Sequence, residues 1–318
     1  MQSARARLIW PLAIFVLLAL VPLLAQLGVP GYWISLVTRV MIFAIAALSL
    51  DLILGVGGLV SFGHAAFLGI GAYVTGIMIA DGRGEALLIL PVIVLACGVF
   101  AGITGAISLR TRGVAYIMIT LAFGQMAFFM AQALYAYGGD DGLTLSTRAT
   151  FAGRDLFRNK LVFFYIVLAA LLGCYLLMRR LVASRFGRVL AAARENPVRM
   201  GVIGFDVQRV RLVATVIAGI MGGLSGFLLA NHTEFVSPAY LAWQRSGELI
   251  FMVILGGVGS LHGAIIGALA FLLTEEILSG WTEHWKVIFG PMIVLFVLFT
   301  RGGIAGLMAK LSGRPRHD

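Results

Sequence analysis

The chain has 318 residues, of which 60% are apolar and only 12% charged, with a mean hydropathy of +1.00. Soluble globules carry about 25% charged residues, and a single core stops growing near this length, so a soluble fold is excluded and the chain is an integral membrane protein. Its net charge of +10 would mark a nucleic-acid surface only if the basic residues clustered on a soluble face.

A membrane-crossing helix needs about 20 mostly apolar residues. The first such stretch is Leu8–Leu27, preceded by Arg5 and Arg7. It is longer than the roughly 7–15-residue apolar region of a signal peptide, and Ala-Gln-Leu makes a poor cleavage site, so a retained first helix is expected. Further spans follow at Tyr32–Leu54, His64–Ala80, Leu87–Leu109, Val114–Ala136, Leu161–Met178 and Val210–Ala230. Leu249–Leu278 is too long for one span, and Gly256-Gly257-Val258-Gly259-Ser260 divides it; Val287–Thr300 is the last. The expected fold is an all-α polytopic membrane protein with nine or ten transmembrane helices, glycine-broken segments and a candidate internal repeat. One transmembrane domain covers residues 1–318. Cys97 and Cys174 sit inside apolar runs without a CxxC partner and read as small buried hydrophobes.

With an inside N-terminus and ten crossings, sixteen of the 24 basic residues fall on the cytoplasmic side and seven outside, Arg39 lying within a span. That asymmetry follows the positive-inside rule. It is a topology signal, and it removes nucleic acid from the expected partners. Eight of the sixteen lie between Arg179 and Arg211. No GxxxxGK[ST] pattern occurs, so a P-loop ATPase site is absent from the chain. Nor does a run of buried acids and histidines form a proton relay. Energy for uphill transport would have to come from a partner.

Three segments carry the remaining information. In the first, Asp51 to Tyr73, glycines at 55, 57, 58 and 63 each cost a helix about 1 kcal/mol against Ala. A broken or re-entrant helix is expected, and such backbone is tolerated at membrane depth only against protein or water. Tight helix packing without solute contact is the competing reading. His64 has no ligand-type residue at i+3 or i+4, so it reads as a packing or interfacial histidine and not as a metal ligand. The second segment, Glu248 to Ala268, echoes the first. Gly57-Gly58 and Ser61 match Gly256-Gly257 and Ser260, and His64, Ala66, Gly69 and Ala72 match His262, Ala264, Gly267 and Ala270 after one gap. Internal repeats are common in transporters, with the site between the halves; whether these run parallel or inverted is open.

The third segment is the cytoplasmic loop 179–209. Ser184 can cap a helix whose apolar Phe186, Val189, Leu190 and Ala193 share one face, with Arg188 and Glu195 on another and Asn196-Pro197 as the stop. Periodicity leaves open whether that face meets lipid or a partner protein.

The stretch Ser184-Arg-Phe-Gly-Arg-Val-Leu-Ala-Ala-Ala-Arg-Glu-Asn-Pro-Val-Arg-Met-Gly-Val-Ile-Gly-Phe-Asp206 resembles the cytoplasmic loop of LivM-type permeases, the membrane subunits of branched-chain amino-acid ABC importers. So do Gly58–Tyr73, Leu109–Gln125, Phe235–Pro238 and Leu255–Gly263, in the family's order. Gln125 departs from it, standing where many such permeases carry Glu. The resemblance implies branched-chain amino acids as the solute, with urea, short amides or aromatic acids as the alternative because related permeases are implicated with them. The Gln125 departure puts a standard amino-acid substrate in question.

The resemblance implies a LivH-type second permease, two cytoplasmic ABC ATPases that use the ATP, and a periplasmic solute-binding protein. It implies a bacterial inner membrane with both termini cytoplasmic, and no cofactor bound by this chain. Residues 179–209 would be the coupling loop, acting through Arg188, Arg194, Glu195, Asn196 and Pro197, with Gly201 and Gly204 allowing the turn that follows. The external loop 137–160, mixed in charge, would be a lip for the binding protein. Candidate path positions are Ser61, Gly63, His64, Thr120, Gly124, Gln125 and Ser260, the polar or glycine positions in otherwise apolar spans. A stand-alone secondary carrier would need paired intramembrane charges; only Arg39 and Asp51 lie in spans by this reading, too far apart on one helix to pair. No nucleophile–base or metal cluster points to an enzyme.

Overall fold

The computed structural model describes residues 11–22, 31–282, 284–300 and 302–311. Its helices are α1 (Pro11–Pro22), α2 (Gly31–Asp51), α3 (Ala65–Ala80), α4 (Ala86–Ser108), α5 (Val114–Gln132), α6 (Lys160–Ala183) and α7 (Arg185–Glu195), followed by α8 (Pro197–Val202), α9 (Val207–Thr233), α10 (Trp243–Gly256), α11 (Leu261–Ser279), α12 (Trp285–Phe299) and α13 (Gly303–Leu311). Among the described residues six helices are long and apolar enough to cross a membrane: α2 with its π-turn, α4, α5, α6, α9 and α11. Shorter apolar helices accompany them in α1, α3 and α12. Of the expected first span, Pro11–Pro22 is described; the rest, with Arg5 and Arg7, lies outside the described residues.

A helix apolar on all sides belongs in a core or a bilayer, and α2 takes the core. From Val40 to Asp51 it is buried at every position, enclosed by α6, α9, α10 and α11. By contrast α4 and α5 expose large side chains such as Leu95, Ile103, Met118 and Phe129, the surface expected of helices facing lipid or another membrane subunit. Cys97 and Cys174 are free and buried.

Close approach of α9 to α3 and α4 rests on small residues. Gly223 lies against Cys97 and Ile93, and a methyl group at Gly226 would overlap the Leu68 carbonyl. Small residues let membrane helices gain dispersion contacts that lipid would otherwise supply. At one end of the bundle β1 (Leu143–Thr144) pairs antiparallel with β2 (Phe235–Val236), Leu143 opposite Val236. Ser35 of α2 lies beside His232 near this ribbon, whereas Asp51 lies near α7. Hence α2 runs from the ribbon end to the α7 end.

G226A is expected to lower stability by about 1–3 kcal/mol through overpacking, seen as a fall in the unfolding temperature of the detergent-purified protein. G173A is the control, since a methyl there meets nothing within 4 Å, and it should leave that temperature unchanged or raise it.

Candidate functional site

The two glycine-broken segments meet. After Asp51 the helix widens into a π-turn, Leu52–Val56, a geometry frequent at functional sites. Gly57 to His64 then leaves helical form before α3 begins at Ala65. The second break, Gly257 to Ser260, separates α10 from α11. The Gly259 N–H donates to Asp51 Oδ1 at 2.8 Å. A side chain at Gly55 would occupy the place of that carboxylate and of the Gly259 backbone, so the contact requires glycine. Asp51 is wholly buried.

Other freed amides are served the same way. Phe62 N donates to Thr120 Oγ1 on α5 at 3.3 Å, and Ala65 N to Ser246 Oγ on α10 at 2.9 Å. Unpaired backbone groups at membrane depth cost several kcal/mol each, so these acceptors make the broken backbone tolerable.

Helix α7 plugs into this junction. Its bounds follow the sequence: Ser184 Oγ accepts from Gly187 N, and Asn196 ends the helix while its Oδ1 caps α8 behind Pro197. The apolar stripe turns inward at Leu190 and Ala193, while Phe186 and Val189 are half-buried. Gly187, Leu190 and Ala193 are buried against α6, α9 and the π-turn of the same chain. Arg211 of α9 donates to the Ala193 carbonyl at 2.9 Å. Arg194 Nη1 donates to the Gly55 carbonyl at 2.5 Å, and its stem packs on Gly58, held at φ +69°. Arg194 therefore binds the break itself and is not spare on the polar face. Arg188 and Glu195 are exposed. Gly204, at φ +95°, makes the turn into α9, whereas Gly201 lies inside α8.

Five of the seven sequence-derived path positions converge. Gly63 packs on the Thr120 carbonyl, Gly124 lies against Gly63, and Ser61 and His64 are buried beside them. His64 Nε2 lies 2.8 Å from Ser49 Oγ. The Ser49 hydroxyl also donates to Ala46 O at 2.7 Å, which makes Nε2 the donor of the pair; Nδ1 is buried without a partner among the described residues. Gln125 is half-buried one residue beyond Gly124. Ser260 stands apart in the second break, its hydroxyl donating to Gly257 O at 2.7 Å.

The expectation that only Arg39 and Asp51 carry charge within spans is corrected at α11, whose apolar stretch Leu261–Ser279 contains Glu275. Arg39 pairs with Glu275 of α11 at 3.8 Å, and Arg245 with Glu248 on α10 at 2.5 Å. Sequence reading missed the Arg39 pair because 236 residues separate Arg39 from Glu275. At the ribbon end residues 137–160 fold into a polar cleft of about 500 Å³. Arg148 bridges it, with Nε to Glu234 at 2.6 Å and Nη1 to the Phe157 carbonyl at 2.7 Å.

A helical bundle built around discontinuous segments suits a transporter, and comparison with known proteins identifies which kind. Residues 32–298 match the family described as branched-chain amino acid transport system, permease component. The chain belongs to this family. It is a multi-pass permease component and not itself an enzyme. It is similar to the high-affinity branched-chain amino acid transport permease LivM of Escherichia coli, 26% identical over 85% of this chain and 69% of that protein. It is also similar to LivH of Salmonella typhimurium, 25% identical over 83% and 91% respectively, and to a probable LivH of Methanocaldococcus jannaschii, 31% identical over 51% and 55%. No solved structure matches.

D51A should strand the Gly259 amide and cost about 1–3 kcal/mol, while D51N, whose side-chain carbonyl still accepts, should retain most of the stability. Thermal unfolding of the two purified variants separates them; equal losses would deny the hydrogen bond its role.

Proposed function

We propose that this permease is one of two membrane subunits of an ATP-driven importer that moves branched-chain amino acids across a bacterial inner membrane. It pairs with a LivH-type permease, takes solute from a periplasmic binding protein and is driven by two cytoplasmic ABC ATPases. The α7 end faces the cytoplasm, with both termini on that side, and the 137–160 cleft faces the binding protein. Support comes from the family match along most of the chain, the LivM and LivH relatives and the basic residues gathered at the α7 end.

One observation carries the mechanism: Arg194 joins the coupling helix to a glycine break within the bundle. In this reading Arg188 and Glu195, exposed on α7, receive the ATPase. Asn196 and Pro197 fix where α7 stops, and Gly204 lets the chain fold back into α9. When the ATPases close, α7 moves and Arg194 draws on the Gly55 carbonyl. The displacement passes through Asp51 and Gly259 to α10 and α11. Ser61, Gly63, His64, Thr120, Gly124 and Gln125 then form the hinge wall that shifts beside the path, with Ser260 as the pivot of the second break.

Reconstitution with all four partner chains in proteoliposomes should give leucine uptake that requires both ATP and the binding protein. Uptake without them would favour a stand-alone carrier, and a binding protein that retains urea, short amides or aromatic acids instead of leucine would change the solute. Within that assembly, replacing Arg188 and Glu195 with Ala should reduce co-purification of the ATPases. R194A should leave them bound but lower uptake roughly 10- to 100-fold, as expected for losing a charged hydrogen bond of about 1.5–3 kcal/mol. Unchanged uptake would remove Arg194 from the coupling route.

A further inference from the structure

Charge inside a membrane bundle is expensive and marks a functional site by default. Arg39 lies eight residues into α2, about 12 Å along the axis from its start at Gly31. Around Phe43 it forms a quartet with Glu275, Arg245 and Glu248: the two guanidinium carbons stand 5.9 and 5.7 Å from the ring centroid. The two ion pairs differ. Arg245 and Glu248 are hydrogen-bonded at 2.5 Å, whereas Arg39 and Glu275 stay 3.8 Å apart, beyond hydrogen-bond reach. Glu275 Oε2 is buried without a partner among the described residues. This second pair is slack, with a donor and an acceptor both underused.

The quartet is not sealed. The side chains of Arg39, Glu275, Arg245 and Glu248 are 34%, 18%, 22% and 20% exposed. Lipid is a costly neighbour for charged groups, so water, solute or another polar chain must border this face. Glu248 lines a cavity of about 570 Å³ between α10, α11 and α12, with Gln244 and Lys286 as its other polar residues and a mostly apolar wall that includes Phe62, Ile250, Phe251, Phe271 and Phe289. Small-molecule sites span about 300–1,000 Å³, mostly apolar with a few placed polar groups. Phe62 belongs to the first glycine break, so the wall of this cavity is part of the segment that Arg194 grips.

We propose that the quartet is a transit site for the head group of a zwitterionic amino acid, with its aliphatic side chain in the adjoining cavity. The α-carboxylate lies on the Arg39 guanidinium and the α-ammonium on Glu275 Oε2, with Glu248 as the second acceptor. Insertion exchanges one loose ion pair for two charge-assisted hydrogen bonds and leaves the net charge of the site unchanged. A neutral solute such as urea or a short amide gains far less, and an aromatic acid without an ammonium leaves Glu275 unmatched. The assignment rests on the amino-acid import reading and adds the residues that would recognise the solute inside the membrane.

The test uses the complete reconstituted importer at saturating leucine-loaded binding protein. E275Q and R39Q should each lower leucine uptake about tenfold while the assembly purifies intact and binding-protein-stimulated ATP hydrolysis continues, so that less leucine moves per ATP. The charge-swapped pair R39E/E275R separates recognition from structure. Uptake restored to the wild-type rate would show a purely structural ion pair and overturn the proposal, as would wild-type uptake in E275Q. Should the single variants fail to assemble, G290L decides: Gly290 lines the cavity, and a Cβ added there meets nothing within 4 Å. It should assemble and slow leucine uptake several-fold; undiminished uptake would overturn the proposal. A wild-type assembly that moves no leucine under ATP would refute the amino-acid reading itself, and normal wild-type uptake with normal variants would refute only the transit site.

Discussion

Membrane interiors leave a broken backbone nowhere to find water, and this fold depends on how that constraint is met where its two breaks touch. Asp51 carries the arrangement. It is wholly buried at the end of a wholly buried stretch of helix, and it accepts from the Gly259 amide. The Gly55 carbonyl, freed where α2 widens into its π-turn, is met by a guanidinium that enters from α7. An acceptor from one span and a donor from an amphipathic helix thus close the gap that two glycine-rich segments open. Both breaks are thereby held to each other and to α7.

Because α2 is central, what happens at the junction is not local. The helix that ends in Asp51 carries Arg39 twelve residues earlier, about 18 Å along its axis, where it meets Glu275 of α11. Helix α11 starts just after the second break and α10 ends just before it. Both charge pairs therefore sit on helices whose α7-end termini are anchored at the junction. Phe62 ties the two levels together, since it lies in the first break, has its amide held by Thr120 and forms a wall of the cavity beside Glu248. Interfaces packed this tightly switch between discrete arrangements rather than deforming smoothly, which is the property alternating access requires.

Much of this was legible in the sequence, and the reasons are local ones. The Ser184 cap, the Asn196-Pro197 stop and the apolar spacing define α7 because capping and periodicity are properties of neighbouring residues. The glycines at 55–58 and 256–259 announce breaks because helix propensity is also local. Five of the path candidates converge because polar and glycine positions in apolar spans concentrate where backbones approach. What stayed hidden is tertiary. Periodicity gave α7 an apolar face but not its partner, which is the chain's own bundle. The sequence resemblance places Arg194 among the coupling residues, but nothing nearby in sequence marks Gly55 as its acceptor. Phe62 was passed over between Ser61 and Gly63, and the Arg39 pair requires α11 to fold back along α2.

The most direct test is amide hydrogen exchange in the assembled importer, with and without a non-hydrolysable ATP analogue. Exchange at residues 56–59 and 257–261 should change together when the nucleotide binds. In R194A both changes should vanish while α7 itself still responds. Nucleotide-dependent change confined to α7 in the wild-type assembly, with both breaks unaffected, would contradict transmission through Arg194 and the Asp51–Gly259 junction.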